Sequence, residues 1–381
     1  MTTKSRTAIV GVGATEQGEI PGESANELAV RAAVLALADA GISKNEIDGL
    51  VTCKSPRSGP DAGTDEAVGS LLGINPAFSS TLEYGAGAFS LHLAAMAIMA
   101  GLANTVLLTF GTNQRSNGVV FSHAVGGSKD WSSIAGLAHV AGPAAMAARR
   151  HMYLYGTTEE QLGWVSVAQR EWAAMNPLAI FREPMTIDDY LAQPYMVAPL
   201  RRADLTMISD GGAAVILTRA DRAGEFRTTP VHLLGLAQQS ALRTTENEDN
   251  VLRPWIKDIA GRLYSTSGAR PEDIDIAYLQ DATSVWVLQM LEWYGFVGAG
   301  EGGPFLAEGH TRPGGSLPVN TNGGQLSEAY MWNWLQLREA VVQLRGEAGE
   351  RQVKDARVAL HAQTHDFWKG AATILSTSEE I

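Results

Sequence analysis

The second half of this 381-residue chain restates the first. Residues 268–282 (GARPEDIDIAYLQDA) follow the plan of residues 41–55 (GISKNEIDGLVTCKS): glycine, a capped turn, an acidic residue, Ile-Asp, then a strand-like run. Residues 319–346 and 357–362 repeat the order strand, glycine-rich turn, buried helix, strand read at residues 79–110. Residues 370–375 (GAATIL) echo 212–217 (GAAVIL), and a strand at 231–236 restarts the pattern opened at 7–12. Correspondences in one order mark an internal duplication of an alternating α/β unit. The halves are read as residues 1–228 and 229–381, with residues 111–200 inserted as a cap on one face. Two such halves should pack through their central helices into five α-β-α-β-α layers. Facing glycine-rich turns would then share one site.

Local signals support these units. Ser24, with Glu27 three residues on and Gly41 as a stop, predicts a capped helix between them. Residues 88–100 are apolar nearly all round, which requires cover on every side and so a central position. In the second half, a β-like run ends in Gly323-Gly324. The apolar positions Leu326, Tyr330, Trp334, Leu337, Val341 and Leu344 then predict one helix, stopped by Gly346. The glycine pair would let backbone N–H groups approach a ligand at the positive end of that helix, with Tyr330 in its first two turns. A buried helix after a tight turn is the plainer reading of the same residues.

Composition narrows the function classes. A net charge of −12 argues against general nucleic-acid binding, which needs a basic face. The pairs Arg149-Arg150 and Arg201-Arg202 leave room for a local anion site. With one cysteine, Cys53, neither an internal disulfide nor a cysteine-based zinc site can form. His123, His139, His151 and His310 have no metal spacing and no evident partner, so they read as structural or surface groups and no metal is expected. Gly11-Val12-Gly13 lacks the third glycine of a dinucleotide fingerprint. The longest apolar run, at 88–101, is broken by Ser90 and His92 and is too short to span a membrane. No signal peptide is visible, and a cytoplasmic protein is expected.

Four stretches carry a resemblance: AIVGVGATEQG, ALADAGISKNEIDGL, ISDGGAAVILT and VNTNGGQLSEAY…VVQLRGEAGERQV. Together they resemble the thiolase superfamily, within it the thiolase-like lipid-transfer-protein branch. The resemblance covers nearly the whole chain and is weakest in 111–199. It implies the duplicated five-layer fold, acyl-CoA thioester substrates and at least a dimer. A thiolase uses a cysteine nucleophile, an activating histidine, a second cysteine and an Asn/His–Glu/Asp pair that places an oxyanion-hole water. The matching positions here are Tyr84, Tyr330, a residue near Thr364, and Gln280-Asp281. Of the family's groups only the acid, Asp281, remains. Tyrosine and threonine offer no thiolate at neutral pH, and Cys53 reads as a small buried strand residue.

The pattern Gly-Gly…Glu-Ala-Tyr, with Tyr-Gly-x-Gly at Tyr84, is similar to the steroid side-chain aldolases of that branch. They cleave β-hydroxyacyl-CoA thioesters by a retro-aldol step. Such chemistry needs a base for the β-hydroxyl, donors for an enolate oxygen and an acid for the α-carbon. Tyr330 is the first candidate acid/base and Tyr84 the second. Backbone N–H groups near Gly323, Gly324 and Gly370 are candidate donors, and His365-Asp366 a further acid/base pair. Departures stand beside this: Leu279-Gln280-Asp281-Ala282 where those relatives have Tyr-Asp-His-Phe, and bulky Trp332 and Trp334, which fill or line the pocket. The resemblance implies no covalently bound cofactor, coenzyme A arriving with the substrate, a homodimer, and a small OB-fold, zinc-ribbon acyl-CoA-binding partner. Two other readings stay open: a C-acyltransferase or condensing subunit, and a non-catalytic acyl-CoA- or lipid-binding subunit.

Overall fold

The computed structural model describes residues 5–55, 58–59, 62–83, 87–119, 140–241, 251–365 (His365 by its backbone alone) and 369–381. The first half runs β1 (Thr7–Ala14), α1 (Ala25–Ala40), β2 (Gly49–Cys53), α2 (Asp65–Leu72), β3 (Phe78–Leu82), α3 (Gly87–Met99) and β4 (Thr105–Thr112). The insertion follows as α4 (Ala141–Tyr155), α5 (Glu159–Ala174), the short α6 (Ile187–Leu191) and a hairpin of β5 (Tyr195–Val197) and β6 (Leu200–Arg201). β7 (Gly211–Arg219) closes that half. The second half runs β8 (Val231–Ser240), α7 (Ile256–Ser267), β9 (Ile276–Leu279), α8 (Ser284–Trp293), α9 (Gly302–Ala307), α10 (Gly324–Ser327), α11 (Trp334–Leu344), β10 (Val358–His365) and β11 (Lys369–Ser376).

The duplication is written in the sheet. Strand order is β3-β2-β4-β7-β1-β8-β11-β10-β9, joined at its centre by the antiparallel pair β1–β8. Counted outward from that pair, each half has two antiparallel neighbours and then a parallel one: β1, β7, β4, β2 against β8, β11, β10, β9. The parallel fifth strand, β3, has as counterpart a single parallel bridge from Val319 to Ala277. The repeated Ile-Asp acquires a physical role. The Asp48 carboxylate accepts from the N–H groups of Asn104 (2.9 Å) and Thr105 (2.8 Å) at the start of β4. Asp275 accepts from those of Arg357 (2.8 Å) and Val358 (2.9 Å) at the start of β10.

The five expected layers are present. α1 packs on β1, β4 and β7, and α7 on β8 and β11. Between the two halves of the sheet lie α3 and α11, each touching strands of both halves. Ser24 caps α1 with Glu27 in a reciprocal box, and Gly41 ends it in the left-handed conformation. The strands reach α1 closely because they present glycine to it: a Cβ on Gly212 would sit 2.0 Å from the Leu28 carbonyl oxygen. The central core holds Leu91, Ile98, Phe110, Trp334, Leu337 and Val341, all buried. The insertion leaves the first half and packs on the second, with α5 against α8, α9 and α10.

One expectation fails. Residues 326–344 do not form a single helix. Gly323 (φ 97°) and Gly324 (φ 63°) start α10, which lasts one turn. The chain then leaves helical geometry, and Tyr330 makes a parallel bridge to Ile208. Trp332 (φ 50°) and Asn333 (φ 71°) are both left-handed before α11 begins. The apolar spacing of three and four is thus produced by a helix, a loop and a second helix. Left-handed backbone is tolerable for asparagine but costs about 1–3 kcal/mol for a residue such as tryptophan. Packing around the loop offsets that strain.

Candidate active site

Tyr330 lies half-buried on the loop between α10 and α11, its ring centroid 5.2 Å from that of Trp332. Three neighbours shape the loop. From the insertion, the N–H groups of Ile180 and Phe181 donate to the carbonyls of Glu328 (3.0 Å) and Ser327 (2.9 Å). From β10, Gln363 Nε2 donates to the Trp332 carbonyl at 2.9 Å. From the end of β9, Asp281 accepts from the N–H groups of Gln325 (3.0 Å) and Leu326 (3.1 Å) and from Gln336 Nε2 (2.8 Å).

Asp281 therefore braces the glycine turn rather than facing a ligand. It is fully buried, and burial pushes its carboxyl up to about 6 despite these donors. A Cβ on Gly324 would lie 2.2 Å from its Oδ2, so glycine there is a packing requirement. The N–H groups proposed as oxyanion donors are already used: that of Gly323 donates to the Asn320 carbonyl (2.8 Å), that of Gly324 to Asn322 Oδ1 (3.2 Å). Gly370 sits inside the sheet between Thr364 and Gln239. A Cβ there would meet Ile259 and Trp255 at about 3 Å, so its lack of a side chain serves helix–sheet contact. In place of spare donors, the three glycines supply close approach.

Gln280 and Thr364 are brought together. Gln280 Oε1 accepts from the Thr364 N–H at 2.7 Å. Thr364 Oγ1 accepts from Arg253 Nη1 at 2.8 Å. Side chains alternate along β10: His361 and Gln363 reach the α11 side, whereas Thr364 reaches the opposite face. The side chain of Thr364 is thus turned away from the Trp332 loop. Arg253, which no sequence signal marked, is fully buried at φ 56°. It donates to Gln289 Oε1 (2.8 Å) and lies 4.6 Å over the Trp286 ring, and burial lowers it to about 9.

The other half supplies the amino end of α3. Tyr84 and Asp366 lie outside the described residues, as does the side chain of His365. Just after Tyr84, the Ala88 N–H donates to Gln363 Oε1 at 2.9 Å. Gln363 thus touches both duplicated units, a role the sequence reading missed because nothing in HAQTH distinguishes a strut from a sheet residue. Trp334 belongs to the core: it is fully buried, stacked on Phe110 at 6.2 Å, with Gly87 against its ring. Of the two tryptophans, it is Trp332 whose ring lies beside Tyr330. Cys53 is buried in β2 with Sγ 3.0 Å from Ser90 Oγ, as a structural thiol would be.

Glu328, two residues before Tyr330, was also missed. It is buried among the amides of Asn176 (3.1 Å) and Asn322, and burial pushes it up to about 7. It fastens α10 to the end of α5. His151 does have a partner: Nε2 lies 2.9 Å from Glu292 Oε1 and Nδ1 2.7 Å from Thr157 Oγ1, all inside the protein. His310 joins Ser316 and Glu308 in a half-exposed loop. His123 and His139 lie outside the described residues. Among the described residues, no three of His, Cys, Asp and Glu are grouped as a metal site. Nor is any helix there long and apolar enough to cross a membrane.

A family model described as thiolase C-terminal domain-like matches residues 237–377. The chain is 37% identical over 358 residues to the 17-hydroxy-3-oxo-4-pregnene-20-carboxyl-CoA lyase of Mycobacterium tuberculosis, covering 89% of this chain and 91% of that protein. It is 36% identical over 358 residues to a steroid side-chain-cleaving aldolase of Thermomonospora curvata, covering 89% and 90%. A solved structure described as Ltp2-ChsH2(DUF35) aldolase superposes with a TM-score of 0.87 at 33% identity, covering 98% of each chain. With the five layers, the doubled sheet order and the paired strand–turn–helix units in place, these matches show that the chain belongs to the thiolase superfamily, in the thiolase-like branch that contains the steroid side-chain-cleaving aldolases.

Proposed function

We propose that the protein is an acyl-CoA lyase that breaks, or in reverse forms, the Cα–Cβ bond of a β-hydroxyacyl-CoA by aldol chemistry. One observation carries this reading: the thiolase framework is kept, while the only thiol of the chain is a buried structural one bonded to Ser90. Tyr330, on the loop between α10 and α11, stands at the position where the family places its histidine. In the cleavage direction, a base takes the β-hydroxyl proton, the Cα–Cβ bond breaks, and its electron pair passes into the thioester as an enolate. The α-carbon is then reprotonated. The proposed role of Tyr330 is to move that proton, and the positive end of α3 would favour the enolate oxygen. Trp332 offers a flat apolar surface beside Tyr330, which suits a steroid-like or aromatic acyl group. By analogy with the relatives, the reading includes a homodimer, a small OB-fold, zinc-ribbon acyl-CoA-binding partner and a cytoplasmic site of action.

A second reading, a non-catalytic acyl-CoA-binding subunit, is favoured by one finding: Gly323, Gly324, Gln280 and Asp281 are all committed to internal bonds. One experiment separates the two. The purified protein, with and without its co-purifying partner, is incubated with a panel of β-hydroxyacyl-CoAs and the products are read by mass spectrometry. The lyase reading expects a carbonyl product and a shortened acyl-CoA. It also expects turnover to fall by about 10²–10⁴-fold in Tyr330→Phe, with acyl-CoA binding retained. Full activity in that variant would remove Tyr330 from the chemistry. Binding without turnover by any preparation would favour the carrier.

A further inference from the structure

We infer that Gln363 is a positioning residue that sets the separation of the amino end of α3 and the Tyr330 loop, and so couples the two halves of the duplicated chain. The inference rests on the lyase reading above. Gln363 is fully buried on β10, and both ends of its amide are used, one in each duplicated unit. Its Oε1 accepts from the Ala88 N–H (2.9 Å), four residues beyond Tyr84, and its Nε2 donates to the Trp332 carbonyl (2.9 Å), two residues beyond Tyr330.

The two partners explain why this side chain must both donate and accept. Ala88 lies in the first turn of α3, where backbone N–H groups have no partner within the helix. The Trp332 carbonyl is turned towards β10 by a left-handed residue (φ 50°), a conformation that persists only when its surroundings over-determine it. His361, two residues back along the same face of β10, holds the next residue of the loop: its Nε2 lies 3.1 Å from the Asn333 carbonyl oxygen. The adjacent contacts thus fix Trp332 and Asn333 against one strand, while the same strand grips the amino end of α3. A displacement of about 1 Å between reacting groups can cost on the order of a hundredfold in rate. A single bidentate side chain spanning the amino end of α3 and the Tyr330 loop is therefore a control point for turnover, not only for folding.

The test compares wild type, Tyr330→Phe, Gln363→Leu and Gln363→Glu, each with the co-purifying partner, in the β-hydroxyacyl-CoA assay across pH, with crystal structures of wild type and Gln363→Leu. Gln363→Leu is expected to lose about tenfold to a hundredfold in kcat with little change in KM, since the substrate surface is kept and only alignment is lost. Gln363→Glu still accepts from Ala88 but donates to Trp332 only when protonated. Its kcat, relative to wild type, is expected to rise as pH falls. A residue serving stability alone would lower the melting temperature and leave kcat per folded molecule unchanged. That outcome, or a Gln363→Leu kcat within about twofold of wild type, overturns the inference. If wild type and Tyr330→Phe are equally inactive, the lyase reading fails by itself. The inference is then judged by the structures: an unmoved Trp332 carbonyl and α3 amino end in Gln363→Leu overturn it, and a separation of these two groups upholds it.

Discussion

The two strand–turn–helix units began as copies and now differ in two respects. In the first, β3 is a full strand pairing with β2 from Gly49↔Phe78 to Cys53↔Leu82, and α3 runs unbroken from Gly87 to Met99. In the second, the strand has shrunk to one bridge at Val319, and the helix is split around Tyr330. The lost strand is replaced by a side chain. Asn320 Oδ1 accepts from the Leu279 N–H (2.9 Å) and its Nδ2 donates to the Leu279 carbonyl (2.8 Å), so one amide imitates the missing backbone partner. The lesson is that a fold can give up regular structure where a loop is wanted, provided that buried polar side chains satisfy what the regular structure had satisfied.

That comparison can be attacked at three points. The largest effect is expected at Trp334, where the split helix is claimed to keep its packing. Trp334→Ala should lose about 3–5 kcal/mol in denaturant unfolding, like other large buried truncations. Trp332→Ala, half-exposed on the loop, should lose under about 1 kcal/mol. Equal losses would mean that the loop, not α11, anchors the central layer.

The next effect concerns pH. Burial holds the imidazoles of His361, against the split helix, and His92, on the intact one, at about 4 instead of 6.5. The folded state disfavours protonation, so each contributes stability above the unfolded value that is lost as pH falls from 6.5 to 4. A shift of this size is worth at most about 3 kcal/mol. Unfolding of wild type and His361→Gln, measured across that window, should converge by up to this amount at low pH. Asp204, Asp281 and Glu328 are shifted up by burial and act with the opposite sign, but they are common to both proteins and cancel in the difference. A constant gap between the two unfolding curves would mean that His361 is not held neutral. The smallest effect is expected at Asn320. Asn320→Ala leaves both groups of Leu279 unpaired and should cost about 2 kcal/mol by the same measurement. A neutral result would mean that water or backbone replaces the amide, and the strand was never missed.

Much of this was legible beforehand. The duplication, the order of elements, the capped α1 and the buried α3 follow from short-range signals: cap residues, glycine stops and the burial demanded by an all-apolar helix. The repeated Ile-Asp was visible too, although its function of gathering the N–H groups at the start of a neighbouring strand was not. What the sequence left unread shares a cause. The apolar spacing from Leu326 to Leu344 fits a helix, but spacing reports only which residues are buried, and a buried loop with the same spacing looks identical. Gln280 and Asp281 match a water-positioning pair by family position, and Gly323-Gly324 suggest ligand-facing N–H groups by their place at a helix start. In the structure they face one another and the chain around them. No sequence pattern states which face of β10 Thr364 takes, or that Glu292 waits for His151 across 141 residues.

The sequence by itself therefore determined the architecture, because local propensity and burial pattern are properties of neighbouring residues. It also ruled out a thiolate mechanism, because one cysteine in a buried strand leaves no nucleophile to place. Only the tertiary structure decided how the candidate site is arranged: the break that takes Tyr330 out of a helix, the bracing of the glycine turn by Asp281, and the bridge through Gln363. These depend on hydrogen bonds between residues far apart in the chain. Such bonds form only once the layers have closed and each buried donor must find its acceptor.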